Sequence, residues 1–229
     1  MEFKERLANS SRRSHSKVIL ALDITGPLEV RLEKAKNVLN SVKSDIAAMK
    51  LNMHLLLPFS FANLQGIIRI CESSDIPVIA DIKLNDIGPT NDETVKLLFN
   101  HGIDAIIANP FVGYMEGLSG PLQIAKKMDK GMILLVYMSH KGSREGYGMS
   151  LEFGKPIYRL FAERARNWDA DGVIVSAKAL NIIREVRGVL KKDQLIISPG
   201  VGAQGGDAQK ALAAGSDYVI MGRSIIGKV

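Results

Sequence analysis

The sequence has one cysteine, few aromatic residues and no long hydrophobic run, and each shortage excludes a class of protein. Cys71 has no partner for an internal disulfide, so a stapled secreted scaffold is excluded and a reducing compartment, the cytoplasm, is expected. No apolar stretch approaches the roughly 18–20 residues that cross a bilayer. Residues 1–16 are polar and charged, without the apolar segment of a secretory signal. Glycine is frequent, at 21 residues, but has no period, which removes collagen-like and low-complexity readings. Aromatic residues make up 6% and form no stripe with the basic ones, so no platform for stacked bases is visible.

What remains is a chain of 229 residues, 46% apolar, with length enough to bury one large core. Thirty Lys and Arg against 24 Asp and Glu leave a formal charge of +6. The basic residues are interleaved with acids, as in RLEKAK and REVRGVLKKD, which reads as solvated helix faces. An anionic small substrate accounts for the surplus better than a nucleic acid does.

Eight short apolar runs punctuate the chain: Val18–Leu22, Ile46–Met49, Val78–Ala80, Ala105–Ala108, Met132–Met138, Val173–Val175, Leu195–Ile197 and Tyr218–Met221. Nearly continuous apolar runs of this length suit strands buried on both faces, as in a parallel sheet. Between them lie amphipathic stretches such as Leu28–Val42 and Ile157–Trp168, with apolar residues three and four apart. Eightfold alternation without a linker points to one α/β domain over residues 1–229, a (β/α)8 TIM barrel behind a polar N-terminal arm at 1–16. The rival, an open doubly wound sheet, lacks its Gly-rich dinucleotide turn, because the first run leads into Asp-Ile-Thr-Gly-Pro. Only Ser224–Val229 follow the eighth run, so the final helix is expected to be short or missing, which puts closure of the barrel in question.

Barrels build their chemistry at the C-terminal ends of the strands, so polar residues that end apolar runs are the candidates. Asp23 ends the first run, Lys50 the second, and Asp81 with Lys83 the third; Ser139 and Ser176 follow the fifth and sixth. Isolated serines there can simply mark where a sheet meets water, but Lys50 has apolar neighbours on both sides. Residues i and i+2 of a strand share a face, so Asp81 and Lys83 are expected to pair. Burying such a pair requires further partners. Lys50 and Asp86 are expected to supply them, in an alternating Lys–Asp–Lys–Asp array whose acids keep Lys83 protonated as a proton donor. Two glycine-bearing loops, Ser198–Asp207 after the seventh run and Gly222-Arg223-Ser224 after the eighth, stand where barrels often bind phosphate. His101 before Gly102 reads as a helix end, His140 has no second ligand at a useful spacing, and Cys71 reads as core; no metal site is expected.

The run Asp81-Ile82-Lys83-Leu84-Asn85-Asp86-Ile87-Gly88-Pro89-Thr90-Asn91 resembles the D-x-K-x-x-D-I-x-x-T-N signature of the orotidine 5′-phosphate decarboxylases, most strongly their archaeal branch. The likeness continues in LALD at 20–23, MK at 49–50, MSH at 138–140, SPGVGAQGGD at 198–207 and GRS at 222–224. It implies cofactor-free conversion of orotidine 5′-monophosphate to uridine 5′-monophosphate and carbon dioxide, a step of pyrimidine biosynthesis. Carried over by position, Lys83 protonates C6, Asp81 lies beside the departing carboxylate, and Lys50 bonds the ribose and holds the charge array. Asp23 accepts from a ribose hydroxyl, Ser139 meets the pyrimidine, and Pro199, Gly200, Gly202, Gln204, Gly222 and Arg223 surround the phosphate. The resemblance also implies a homodimer in which Asp86, Ile87 and Thr90 reach the partner's site. A metal-dependent sugar-phosphate decarboxylase or aldolase on the same scaffold is the nearest alternative; it is expected to need an acidic ligand near the second strand, where Lys50-Leu51-Asn52 stands. A non-catalytic phosphate-binding barrel is the other. The Gly-rich stretch Lys141–Gly154 is expected to form a loop near the pyrimidine, with no role carried over.

Overall fold

A computed structural model describes residues 1–227. All eight apolar runs become parallel strands: β1 Val18–Ala21, β2 Ala48–Asn52, β3 Val78–Leu84, β4 Ala105–Ala108, β5 Gly131–Tyr137, β6 Gly172–Val175, β7 Leu195–Pro199 and β8 Tyr218–Met221. They pair in sequence order, and β1 returns to β8 through Val18↔Val219, Ile19↔Ile220 and Leu20↔Met221, so the barrel is closed. Closure is set by strand pairing and does not need a long final helix. Among the described residues, the single turn Arg223–Ile226 follows β8, and its Ile225 and Ile226 pack against the outer core. Residues 228–229 of the expected C-terminal segment lie outside the described residues.

The helices that frame the barrel are α1 Phe3–Arg13, α2 Leu28–Val42, α3 Phe61–Ser73, α4 Gly88–Asn100, α5 Ser119–Lys127, α6 Ile157–Asn167, α7 Leu180–Val189, α8 Ala208–Ala213 and α9 Arg223–Ile226, with further single turns at Met53–Leu56 and Ser143–Gly146. Each strand feeds two cores. Ile19, Ile79, Ile133 and Ile197 point into the barrel, while Leu20, Ala80, Leu134 and Ile196 face the helices. That double burial is why the runs are continuous rather than alternating.

The N-terminal arm is less polar in space than in sequence. It folds as α1, and Phe3 and Leu7, both fully buried, enter the barrel interior from below. A methyl group at Gly131 would collide with the Phe3 ring, so the smallness of that residue at the start of β5 makes room for the plug. The plug is locked by charge: Arg6 pairs with buried Asp104, which also binds Lys130 at 2.8 Å and accepts from the Val78 N–H at 2.9 Å. Lys4 reaches Asp193 at 2.7 Å. Leu7→Ala should therefore lower the unfolding free energy by about 2–5 kcal/mol. Urea denaturation checks this, and ligand affinity at the opposite barrel end should stay unchanged.

Candidate active site

At the C-terminal end of the barrel lies a cavity of about 190 Å³. Its floor is the top of the barrel core, Ile107, Leu135, Ile174 and Ile220. One wall is charged. Asp81 is shared between two cations, with Lys50 Nζ 2.8 Å from one carboxylate oxygen and Lys83 Nζ 2.9 Å from the other. Lys50 also lies 3.8 Å from Asp23, whose Oδ1 is buried without a hydrogen-bond partner. Burial pushes the Asp81 carboxyl up, but the charges and hydrogen bonds of Lys50 and Lys83 outweigh it and hold the group below the usual carboxylate range.

Local backbone geometry makes this wall. Lys50 sits inside β2 rather than at its end, because the strand begins at Ala48 and runs to Asn52. Asp81 and Lys83 do meet, though regular strand alternation is not the reason. Between the pairs Ala80↔Ile106 and Leu84↔Ala108, β3 advances four residues against two of β4, and Lys83 adopts φ +50°. A left-handed lysine inside a bulge costs of order 1–3 kcal/mol and is held only because its surroundings fix it. Here the fixing contact includes the Lys83–Asp81 bond.

The opposite wall is glycine-rich. Pro199, Gly200, Val201, Ala203 and Gln204 line it after β7, and Gly222 and Arg223 after β8. Gly200, at φ +97°, brings the main chain so close that a Cβ there would lie 3.0 Å from the Ser139 Cβ and 3.3 Å from Gln204 Oε1. Asp207 ends the loop as the N-cap of α8, its carboxylate accepting from the Lys210 N–H at 3.0 Å. Arg223 is exposed at the rim and forms no ion pair among the described residues.

Asp23, Lys50, Asp81, Lys83, Ser139, Pro199, Gly200, Gln204, Gly222 and Arg223 thus share one cavity, as their strand-end positions anticipate. Gly202 stands just behind it, against Ser224. Asp86, Ile87 and Thr90 do not enter it. They are exposed at the start of α4, and the array in this chain runs Asp23–Lys50–Asp81–Lys83, without Asp86. The cause is Asn91, which turns the segment outward: its Oδ1 accepts from the Asp86 N–H at 3.1 Å, and its Nδ2 donates to the carbonyls of Asp86 and, at 3.0 Å, Gly117.

Val201 and Ala203 fall within the loop the sequence marked and Met138 within its MSH motif, but Asn52, Ala21, Ile107, Leu135, Ile174 and Ile220 were not among the residues it singled out for the cavity. Asn52 ends β2 two residues beyond Lys50, so the same-face rule could have found it; the others have apolar side chains that carry no chemical signal. His101 caps α4 and stacks on Phe61 at 4.2 Å, as a helix-end histidine should. Burial pushes the Cys71 thiol up, which fits a core residue rather than a nucleophile. Among the described residues, no three His, Cys, Asp or Glu side chains converge to hold a metal ion, and no helix is long and apolar enough to cross a membrane.

Closed barrel and charged mouth together define the architecture of a (β/α)8-barrel enzyme, with charged side chains on and just after β1–β3 and glycine-bearing loops after β7 and β8. Comparison with known proteins specifies the class further. The orotidine 5′-phosphate decarboxylase / HUMPS family matches residues 16–229, and the chain belongs to that family. Orotidine 5′-phosphate decarboxylase of Pyrococcus furiosus is 35% identical over 208 residues, 91% of this chain and 89% of that protein. The crystal structure of the Pyrococcus horikoshii enzyme superposes with a TM-score of 0.73 at 35% identity, covering 92% of this chain and 91% of that one. That of Methanocaldococcus jannaschii orotidine 5′-monophosphate decarboxylase, complexed with the inhibitor BMP, gives 0.78 at 29% identity, over 93% and 91% of the two chains. These relatives are carboxy-lyases. All of α1 precedes the matched range.

The Asp81 geometry has a measurable consequence. Its folded-state pKa lies below the unfolded value of about 4, so its ion pairs add stability that is complete above that value. The contribution is lost as pH falls through the depressed folded value. Acid titration of unfolding free energy should therefore fall more steeply below about pH 4 in the wild type than in Asp81→Asn.

Proposed function

We propose that the chain decarboxylates orotidine 5′-monophosphate to uridine 5′-monophosphate and carbon dioxide, without metal or organic cofactor. The observation that carries this reading is Asp81 bridging Lys50 and Lys83 in a cavity whose other wall is a glycine-rich cradle with Arg223. Membership of the decarboxylase family supports it.

The reaction breaks the bond between C6 and the carboxylate carbon and leaves the electron pair on C6. With no electron sink in the substrate, that pair must be met by a fixed positive charge already in place. The Lys83 ammonium supplies the charge and then its proton, which bonds to C6; carbon dioxide departs, and Lys83 recovers a proton from water. Asp81 faces the substrate carboxylate, and the floor beside it is apolar, which suits neutral carbon dioxide better than an anion. Asp23 Oδ1, buried and unpartnered, accepts from a ribose hydroxyl, and Lys50 orients both acids. Ser139 bonds the pyrimidine. Gln204, Gly222, Arg223 and the loop from Pro199 through Gly202 hold the phosphate, whose binding energy closes the loop and is used at C6.

The active unit in this reading is a homodimer in the cytoplasm. Lys83 also opens onto a second hollow, shared with Asp86 and Thr90 and bordered by exposed Met53, Leu57 and Leu97. An apolar rim beside a half-exposed catalytic lysine suits a second copy of the chain. Asp86, Ile87 and Thr90, which point away from their own cavity, then complete the neighbour's.

Purified protein should deplete orotidine 5′-monophosphate in an ultraviolet assay and keep its rate in EDTA; no turnover would refute the reading. Lys83→Ala should reduce the rate by more than about a thousandfold with the circular dichroism spectrum intact. Mixing Lys83→Ala with Asp86→Ala, each inactive alone, should restore part of the activity, because one of the two mixed sites regains both residues. Failure to restore any would assign Asp86 to its own subunit.

A further inference from the structure

Four buried side-chain atoms lack a hydrogen-bond partner among the described residues: Asp23 Oδ1, Arg31 Nε, Asp92 Oδ1 and Ser224 Oγ. Buried polar atoms are nearly always paired, so each asks for an explanation. Asp23 faces the proposed ribose. Arg31 uses its other nitrogens to join the carbonyls of Gly26 and His54, tying the loop after β1 to the turn after β2. Ser224 is different, because it stands where the two phosphate loops meet.

Ser224 follows Arg223 in α9 and lies under Gly202. A Cβ on Gly202 would fall 3.0 Å from Ser224 Oγ and 3.2 Å from its Cβ, and Gly202 adopts φ +72°. The loop above is braced by its own main chain, with Gly202 N–H to Gly206 O at 3.0 Å, Gly205 N–H to Gly202 O at 2.7 Å and Gly206 N–H to Gly200 O at 2.9 Å. Gly202 through Gly205 are nevertheless exposed. The loop therefore rests on Ser224 without a polar tie to it. Ser224 does not line the cavity, which separates it from the groups that would touch the phosphate.

We infer that Ser224 is a positioning residue for the phosphate loop, a role that rests on the phosphate-binding reading above. When a 5′-phosphate is held between Gln204, Gly222 and Arg223, the loop settles onto α9. The Ser224 hydroxyl then donates to the main-chain carbonyl of Gly202, which has a second lone pair free beside the one given to Gly205. The bond exists only in the liganded state, so it contributes to binding of phosphorylated ligands and not to the stability of the free protein. It also reaches the base end of the site. The main chain at Gly200 runs beside Ser139, close enough that a Cβ there would lie 3.0 Å from the Ser139 Cβ, so a loop fixed at Gly202 fixes the Ser139 side of the cavity.

Ser224→Ala tests this by calorimetric titration with uridine 5′-monophosphate and uridine, paired with hydrogen exchange of the amides at 200–206. The variant should bind uridine 5′-monophosphate about tenfold more weakly, with uridine affinity unchanged. Loop exchange in the free protein should match the wild type, while the protection gained on adding the nucleotide should shrink. Equal loss for nucleotide and nucleoside, faster loop exchange in the free variant, or unchanged nucleotide affinity would each overturn the positioning role. A wild type that does not prefer the nucleotide over the nucleoside would overturn the phosphate-binding reading and this role with it.

Discussion

Asp81 accepts from two lysines at once, and most of the upper half of the molecule serves to keep it there. A carboxylate this deeply buried is tolerable only when opposite charges and hydrogen bonds replace the water it has lost. Lys50 comes from the neighbouring strand β2, whose register with β3 sets Asn52 opposite Asp81. Lys83 comes from the same strand, across a bulge that puts its backbone in a left-handed conformation. The charged wall thus depends on barrel closure for register and on a local irregularity for reach.

The two ends of the barrel divide their work. At the bottom, α1 seals the core with Phe3 and Leu7, and the charges around Asp104 are all satisfied within the protein. At the top, polar groups are left incomplete among the described residues: an orphan oxygen on Asp23, an unpaired guanidinium at Arg223 and a glycine-rich loop open to solvent. A satisfied network stabilises. An unsatisfied one, held in place by a rigid scaffold, is prepared for a ligand. The positive surplus of the chain acquires a local meaning there, since Lys50, Lys83 and Arg223 converge on one cavity while other cations, such as Lys96 beside Glu93, stay on solvated helix faces.

Family membership and geometry meet at this cavity. The family match rests on sequence over residues 16–229, whereas the cavity is defined by shape and by which side chains face it. Asp86 shows where the two differ in content. It belongs to the signature run, yet in a single chain it stands outside the cavity, its backbone held by Asn91. In the homodimer proposed above, that outward placement is what lets Asp86 serve the neighbouring cavity.

The eight apolar runs determined the barrel, because a strand buried on both faces leaves an uninterrupted signal that survives without tertiary knowledge. Polar residues at the ends of those runs determined most of the cavity for the same reason: few physical roles explain a Lys or Asp flanked by apolar residues. Strand boundaries were less legible. Lys50 lies within β2 because inter-strand pairing, not hydropathy, sets where a strand stops. The N-terminal plug was not legible, since two apolar residues in a charged arm become a core only when a barrel mouth is there to receive them. Only the tertiary structure decided that Lys83 reaches Asp81 across a bulge, that Asp86 turns outward and that Ser224 is left, among the described residues, unpaired beneath the loop. Each depends on contacts between segments far apart in the chain, which no local pattern encodes.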